Sequence, residues 1–220
     1  MLKILKRIEG VERMPVKIDF KKKLKQLYNP SAAEVTIVDV PEMQFLMIDG
    51  QGDPNTSQEF KDTYAILYPV AYKLKFMSKA QGKDYVVSPP EALWWADDMN
   101  DFLRGNKNKW KWTSMLMIPD CVSKEMFEEA VQYTKEKKLD LPPTFSELRF
   151  EKYTEGKAAQ ILYIGPFAEE HPTILRIHKV IEEQGGKFDG HIQKHHEIYL
   201  SDPRRASPDK LKTVIRQPFI

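Results

Sequence analysis

The stretch His195-His196-Glu197-Ile198-Tyr199-Leu200-Ser201-Asp202-Pro203 gathers side chains that can do acid–base chemistry within nine residues. Read as a strand, it sends successive side chains to opposite faces. His195, Glu197 and Tyr199 then share one face, and His196, Ile198 and Leu200 share the other, which reads as core. The first face carries a carboxylate and a phenol two residues apart. Desolvation in an apolar pocket raises a carboxyl pKa. Protonated, Glu197 donates to a ligand carbonyl; ionised, it pairs with a cation or orients water. Ser201-Asp202-Pro203 closes the strand, because proline brings no N–H to a ladder. An ordinary exposed strand face is the alternative.

Other chemistries find less support. His191, His195 and His196 lack a third well-placed donor at a metal-binding spacing, so no metal is expected. Cys121 is the sole cysteine, which excludes an intramolecular disulfide; without a His–Asp partner pattern it reads as structural. There is no phosphate loop, dinucleotide glycine fingerprint or nucleophile elbow, and no cofactor is expected. Lys plus Arg number 34 against 32 Asp plus Glu, a net charge of +2 in 220 residues. That balance gives no electrostatic case for nucleic acid. No apolar run reaches the length of a membrane span and the first residues carry no signal-peptide h-region, so a cytoplasmic location is expected. With 41% hydrophobic and 30% charged residues, a globular fold with a real core is expected.

The elements that must position the stretch follow from periodicity and punctuation. Leu24 and Leu27 suggest a short, loosely packed helix ended by Asn29-Pro30. Val35 to Val40 and Gln44 to Ile48 read as strands, the second closing in a glycine-rich turn, Asp49 to Pro54. Thr56 to Glu59 has capping-box spacing. Phe60, Tyr64, Leu67, Ala71 and Leu74 make the stripe of the helix behind it, which Pro69 should kink or break. Glu91 to Asp97 follows Pro89-Pro90, then a strand from Lys109 to Ile118. Ser123 caps a helix using Phe127, Ala130 and Val131. Glu147 to Tyr153 and Ala158 to Ile164 predict a hairpin around Glu155-Gly156. Pro172 opens a helix with the stripe Ile174, Ile177, His178 and Ile181, stopped by Gly185-Gly186. Ser207-Pro208 predicts a short last helix containing Leu211 and Val214.

An internal repeat emerges. Phe45 to Ile48, a turn, a helix and Glu91-Ala92-Leu93-Trp94 match Ile161 to Ile164, a turn, a helix and Glu197-Ile198-Tyr199-Leu200. Two such units can join their sheets edge to edge, with helices on one face and a concave, partly open surface on the other. A pocket is expected at their junction.

These motifs carry a resemblance. His195 to Pro203 with Arg204 to Lys212, Phe45 to Gly50 with Gly52 to Asn55, Leu93-Trp94-Trp95, Trp110 to Met117 and Gln160 to Pro166 together resemble the stand-alone GyrI-like small-molecule-binding proteins. The likeness covers about residues 16 to 218. It implies an α+β fold of duplicated β-α-β-β (SHS2-type) modules, an antiparallel sheet with helices on one face and a ligand cleft between the repeats. Residues 1–15 would be an N-terminal extension and 16–220 a single domain. In the wider family a glutamate of the final strand meets cationic or planar drugs in an aromatic cleft, and Glu197 holds the matching position. One stand-alone branch is similar to hydrolases that open the cyclopropane of DNA-alkylating natural products with water.

The candidate catalytic residues are Glu197 and its repeat counterpart Glu91, although a one-residue shift would turn Glu91 to the other face or leave it a loop carboxylate. The ligand-binding candidates are Tyr199, Trp94, Trp95, Trp112, Tyr163 and Phe167. One of Trp94 and Trp95 faces the cleft and the other the core. Trp110 and Trp112 share a face with Leu116 and Ile118, which fits core as well as a rim reached through a bulge. The expected partner is a hydrophobic planar small molecule. Binding or sequestration without chemistry, a gyrase-inhibitor-like regulatory role, and a regulator working with a separate DNA-binding chain are the alternatives.

Overall fold

In the computed structural model, residues 17–220 are described; the expected extension over residues 1–15 lies outside them. Two single-turn helices, α1 (Phe20–Lys23) and α2 (Lys25–Tyr28), come first. Strands β1 (Thr36–Val40) and β2 (Met43–Gln51) precede the long helix α3 (Gln58–Ala80). Then come β3 (Pro90–Trp95), the short α4 (Asn100–Leu103), β4 (Lys111–Ile118), α5 (Lys124–Lys137) and β5 (Arg149–Tyr153). The chain ends with β6 (Gly156–Ile164), α6 (His171–Glu183), β7 (His195–Tyr199) and β8 (Lys212–Pro218). Ser57 caps α3 by accepting from the Phe60 N–H, and Ser123 caps α5 by accepting from Met126, as the spacing predicts. Pro69 does not end α3, which runs for 23 residues. The carbonyl it leaves without a donor belongs to Ala65, on the exposed side. No helix among the described residues is long and apolar enough to cross a membrane.

All eight strands form one antiparallel sheet in the order β1-β6-β8-β7-β3-β4-β2-β5. The duplication is visible in that order: β2-α3-β3-β4 and β6-α6-β7-β8 are the two β-α-β-β units. They meet where β3 pairs with β7. This α+β architecture agrees with the expected fold.

Two elements differ from expectation. β5 and β6 are not a hairpin. β5 pairs with β2 at one edge, while β6 pairs with β1 and β8 near the other. Arg149, Glu151 and Lys152 suit an exposed edge, whereas Ala158, Ala159, Gln160 and Ile161 are buried as an interior strand requires. The predicted last helix is a single 3-10 turn, Pro208–Lys210, followed by β8. Thr213, Val214 and Ile215 are β-branched and fit a covered strand better than a helix.

The link between β5 and β6 sets the shape of the sheet. Three peptide units take the chain from Tyr153 to Gly156, about 11 Å at full extension. β5 and β6 stand six positions apart in strand order, about 29 Å in a flat sheet. The sheet must therefore curl until its ends approach. Helices α3 and α6 cover the outer face. Leu46, Ile48, Leu116 and Ile118 pack there against Ile66, Leu67, Val70 and Leu74. Ile161 and Ile215 pack against Ile177 and Ile181.

The inner face is closed, not open. Leu27 and Tyr28 of α2 are buried against Val40, Ala158, Ile198 and Val214, so this segment packs tightly rather than loosely. At its centre His196 Nε2 lies 3.0 Å from Glu91 Oε2, and His196 Nδ1 lies 3.0 Å from Glu155 Oε1. Arg216 donates to Glu155, Gln160 and the Leu27 carbonyl, and the Tyr28 hydroxyl donates to Glu91. Burial alone would push the His196 pKa down, but Glu155 and Glu91 together raise it to about 9. Burial raises Glu155, and the charges and hydrogen bonds of His196 and Arg216 override this to bring it down to about 2.

The signs give a pH window. The His196 contribution is complete below its ordinary pKa and is lost as pH rises through about 9. The Glu155 contribution is complete above its ordinary pKa and is lost as pH falls toward about 2. Urea unfolding should therefore show stability falling as pH rises from about 6.5 to about 9, the interval between the ordinary and the folded His196 values. Glu155→Ala, which strands two buried cations, should cost about 3–5 kcal/mol.

Candidate functional site

Pairing register decides which residues of the junction share a face. Ala92 stands opposite Glu197, Trp94 opposite His195 and also opposite Trp112, and Tyr199 opposite Thr213. All of these lie on the helix-bearing outer face, at the seam between α3 and α6, a groove filled by packed and mostly buried side chains. Glu91 stands opposite Ile198 and so belongs to the inner face. The structure separates the two expected catalytic carboxylates: Glu91 is held by Tyr28 and His196 in the buried network, away from the groove. The one-residue offset between the repeats is the cause. Trp95 also turns to the inner face, where the Lys194 ammonium sits 3.6 Å from its ring centroid. Of the tryptophan pair, Trp94 is the one at the groove.

Aromatic rings build the groove. Phe60, at the start of α3, packs on Trp94 (5.6 Å between centroids), Trp112 (5.0 Å) and Tyr64 (5.6 Å). Trp94 meets Trp110 at 6.1 Å, and Trp110 stacks on Phe102 of α4 at 4.6 Å. Phe167 closes the other side, edge-on to Tyr199 at 5.6 Å, and is 37% exposed. Trp112 is fully buried under the row, and a Cβ at Gly50 would collide with its ring. Glycine is required there by contact. Tyr163 stands apart from the row: its hydroxyl donates to the Pro166 carbonyl at 2.9 Å and braces the turn that carries Phe167.

Within this setting lies a hydrogen-bonded chain. The Trp94 indole N–H donates to the Tyr199 oxygen at 3.1 Å, and the Tyr199 hydroxyl donates to Glu197 Oε2 at 2.7 Å. Burial and the neighbouring Glu197 carboxylate hold the Tyr199 phenol well above its usual range, so it stays protonated. His195 Nε2 lies 3.3 Å from Glu197 Oε1. Glu170, at the N-cap of α6, turns its carboxyl to the same point. Burial and the opposing Glu197 charge hold Glu170 well above the carboxylate range. Burial also acts to raise Glu197, but His195, the Tyr199 hydroxyl and Glu170 outweigh it, and Glu197 is held below its ordinary value. Two carboxyls in one desolvated site cannot both ionise cheaply. The pair therefore carries one proton on Glu170 beside one ionised group, Glu197.

Unpaired polar atoms collect around this pair. Among the described residues, eight buried side-chain atoms lack a well-formed hydrogen bond: Tyr64 Oη, Trp112 Nε1, Ser114 Oγ, Glu170 Oε2, His195 Nε2 and Thr213 Oγ1 at the groove, and Tyr85 Oη and Thr144 Oγ1 away from it. None of the inner-face network atoms is in that condition. Buried polar groups without a protein partner call for an explanation, a bound water or a ligand being among those that apply here. Among the described residues no group of three or more His, Cys, Asp or Glu is placed to hold a metal ion.

Sequence reasoning missed Glu170, Phe60 and Phe102 as site residues. Glu170 follows Phe167-Ala168-Glu169 in a surface-like run, and only the docking of α6 brings it to Glu197. Phe60 belongs to the helical stripe and reads as core; its place at the helix start, over the junction, is a tertiary fact.

The sequence model described as the GyrI-like small molecule binding domain matches residues 33–219. A crystal structure of an uncharacterized conserved protein from Listeria innocua is similar at 41% identity and TM-score 0.85, covering 93% of this chain and all of that one. A structure described as a hydrolase from Listeria innocua is similar at 40% identity and TM-score 0.81, with the same coverage. The EcmrR C-terminal domain, at 10% identity and TM-score 0.51 over 85% of this chain and 97% of that one, shares the fold. No curated protein matches the sequence.

Tyr199→Phe tests the chain of donors. It removes the Tyr199 donor to Glu197 and leaves the Trp94 N–H unpaired, which should cost about 1–3 kcal/mol in urea unfolding. The acid titration of Glu197, followed by carboxyl 13C NMR, should move upward.

Proposed function

The chain belongs to the GyrI-like small-molecule-binding family, and on that footing we propose that the groove between α3 and α6 binds planar aromatic xenobiotics and hydrolyses those bearing an electrophilic cyclopropane. The observation that carries this reading is the carboxyl pair, one member protonated and one ionised, set among aromatic rings at the repeat junction. A relative at 40% identity, described as a hydrolase, supports it.

The chemistry follows from the two protonation states. A cyclopropane conjugated to a carbonyl opens when the carbonyl oxygen accepts a proton and a nucleophile reaches the ring methylene. Glu170 donates that proton, and the electrons of the breaking C–C bond flow into the conjugated system. Water forms the new C–O bond and passes its proton to Glu197. One water has been added, and a proton moving from Glu197 to Glu170 restores the pair. The rings hold the ligand plane by stacking, each good pair contributing about 0.5–1.5 kcal/mol beyond area burial. They also stabilise positive charge that develops at the methylene. Because the rings now pack on one another, a ligand enters by displacing a rim ring, with Phe167 the most exposed of those described for the groove.

A second reading is binding without chemistry. The pair carries one net negative charge among aromatic faces, which suits a planar cation. Sequestration of such a ligand would protect a cell without turnover.

Incubation with a cyclopropanoid alkylator, followed by mass spectrometry of the small molecule, separates the two. The hydrolytic reading expects a gain of one water. Glu197→Gln and Glu170→Gln should each slow this by about 10²–10⁴-fold, the usual worth of a general acid or base, while tryptophan quenching still reports binding. The rate should fall in acid as Glu197 takes up a proton, and in base as Glu170 loses its own. Saturable quenching with intact ligand would favour sequestration.

A further inference from the structure

The loop between α4 and β4 forms a surface depression of about 410 Å³ lined by Asp53, Gly105, Asn106, Lys107, Asn108 and Lys109. Its character differs from the groove: the side chains are polar, and two are ammonium groups. Three observations tie it to the aromatic row. Lys107 Nζ stands 5.5 Å from the centroid of the Trp110 ring, and Trp110 packs on Trp94 within the groove. The positive charge of Lys107 also reaches Glu170. Lys107 is therefore a wall shared by the depression and the groove. Lys109 is engaged with Asp101 at 3.6 Å, whereas Lys107 makes no ion pair among the described residues.

We propose that this depression is a second subsite of the groove, which takes an anionic substituent (carboxylate, sulfonate or phosphate) carried by the aromatic ligand, with Lys107 as its counter-ion. The proposal rests on the groove being the ligand site. Its physical basis is complementarity. An ammonium beside an aromatic face leaves N–H donors free on the side away from the ring, and Asn106, whose amide donates to Asp101, and Asn108 line the same depression. Asp53 also lines the depression, with Oδ1 accepting from Asn55, and its charge disfavours a second anionic group. An anion bound here would also cancel the field that Lys107 exerts on Glu170. The acid would then keep its proton more firmly with an anionic ligand than with a neutral one.

The test uses 2-(p-toluidino)naphthalene-6-sulfonate and its neutral parent, N-(p-tolyl)-2-naphthylamine, titrated into the full chain at low ionic strength. The sulfonate should bind roughly fivefold more tightly than the parent, the scale of one partly exposed ion pair. Lys107→Met should erase that difference by weakening the sulfonate more than the parent, and 0.5 M NaCl should shrink it. Equal affinities in the unmodified protein, or a Lys107→Met effect of the same size on both dyes, would overturn the subsite. If Trp110→Ala leaves the binding of both dyes unchanged, the dyes do not occupy the groove, and that result overturns the groove reading on which the subsite rests.

Discussion

The structure depends on one imidazole held between two carboxylates. His196 stands in the middle of β7, with Glu91 from the other repeat on one nitrogen and Glu155 from the β5–β6 link on the other. Glu91 joins β7 to β3 and so ties the repeats. Glu155 ties the crossing chain to the middle of the sheet and fixes the curl. Arg216 supplies the second cation, so two positive groups face two carboxylates with no net charge left over. Taking four such groups out of water costs several kcal/mol each. Their short bonds and the carbonyls of α2 offset that cost. An apolar replacement would pack as well but would leave the link free to settle elsewhere. The network gives the curled sheet one arrangement rather than several.

How much of this was legible in the sequence can be traced residue by residue. The alternation of β7 put Glu197 and Tyr199 on one face, because side-chain direction along a strand follows from backbone geometry alone. Their joint occupation of a groove did not follow from it. Glu91 was matched to Glu197 by the repeat, yet the register pairs Ala92 with Glu197. A slip of one residue reverses every side chain, and no local signal sets the register between strands about a hundred residues apart. The Glu155-Gly156 signal marks the break between the two strands, with Gly156 at φ 72°, but no hairpin turn forms there. The partners of its strands were set by burial: one strand suits an edge, the other needs both faces covered. The three-residue spacing of Leu211 and Val214 reads as a helix, while the β-branched run Thr213-Val214-Ile215 favours the strand that forms. Glu170 was invisible for a different reason: its chemistry exists only once α6 is docked against β7.

The groove reverses the electrostatics of the inner face. There, opposite charges pair and both carboxylates have donors. Here, two carboxyls meet with His195 beside them, and the burden of desolvation falls on one shared proton. A proton held this way is available to a ligand oxygen at a pH where an exposed carboxyl would have lost it. The ionised partner is kept so by the Tyr199 hydroxyl, which cannot itself ionise beside it. The roles of acid and base are assigned by surroundings, not by residue type.

Adjacent residues of one strand thus serve opposite ends. His196 has both nitrogens satisfied by carboxylates at 3.0 Å; one position away, Glu197 lies among six buried polar atoms without a good partner. Leaving such atoms unpaired costs free energy that a small domain can sustain only if something else over-determines the local backbone. β7 is pinned from its inner face by the network, so its outer face can hold frustrated groups without rearranging to relieve them. The coupling also runs the other way. A network that loosened would let β7 shift against β3, and the Trp94–Tyr199 bond at 3.1 Å crosses between those two strands. Stability and chemistry are separated onto two faces of the same strand, and the first is the condition for the second.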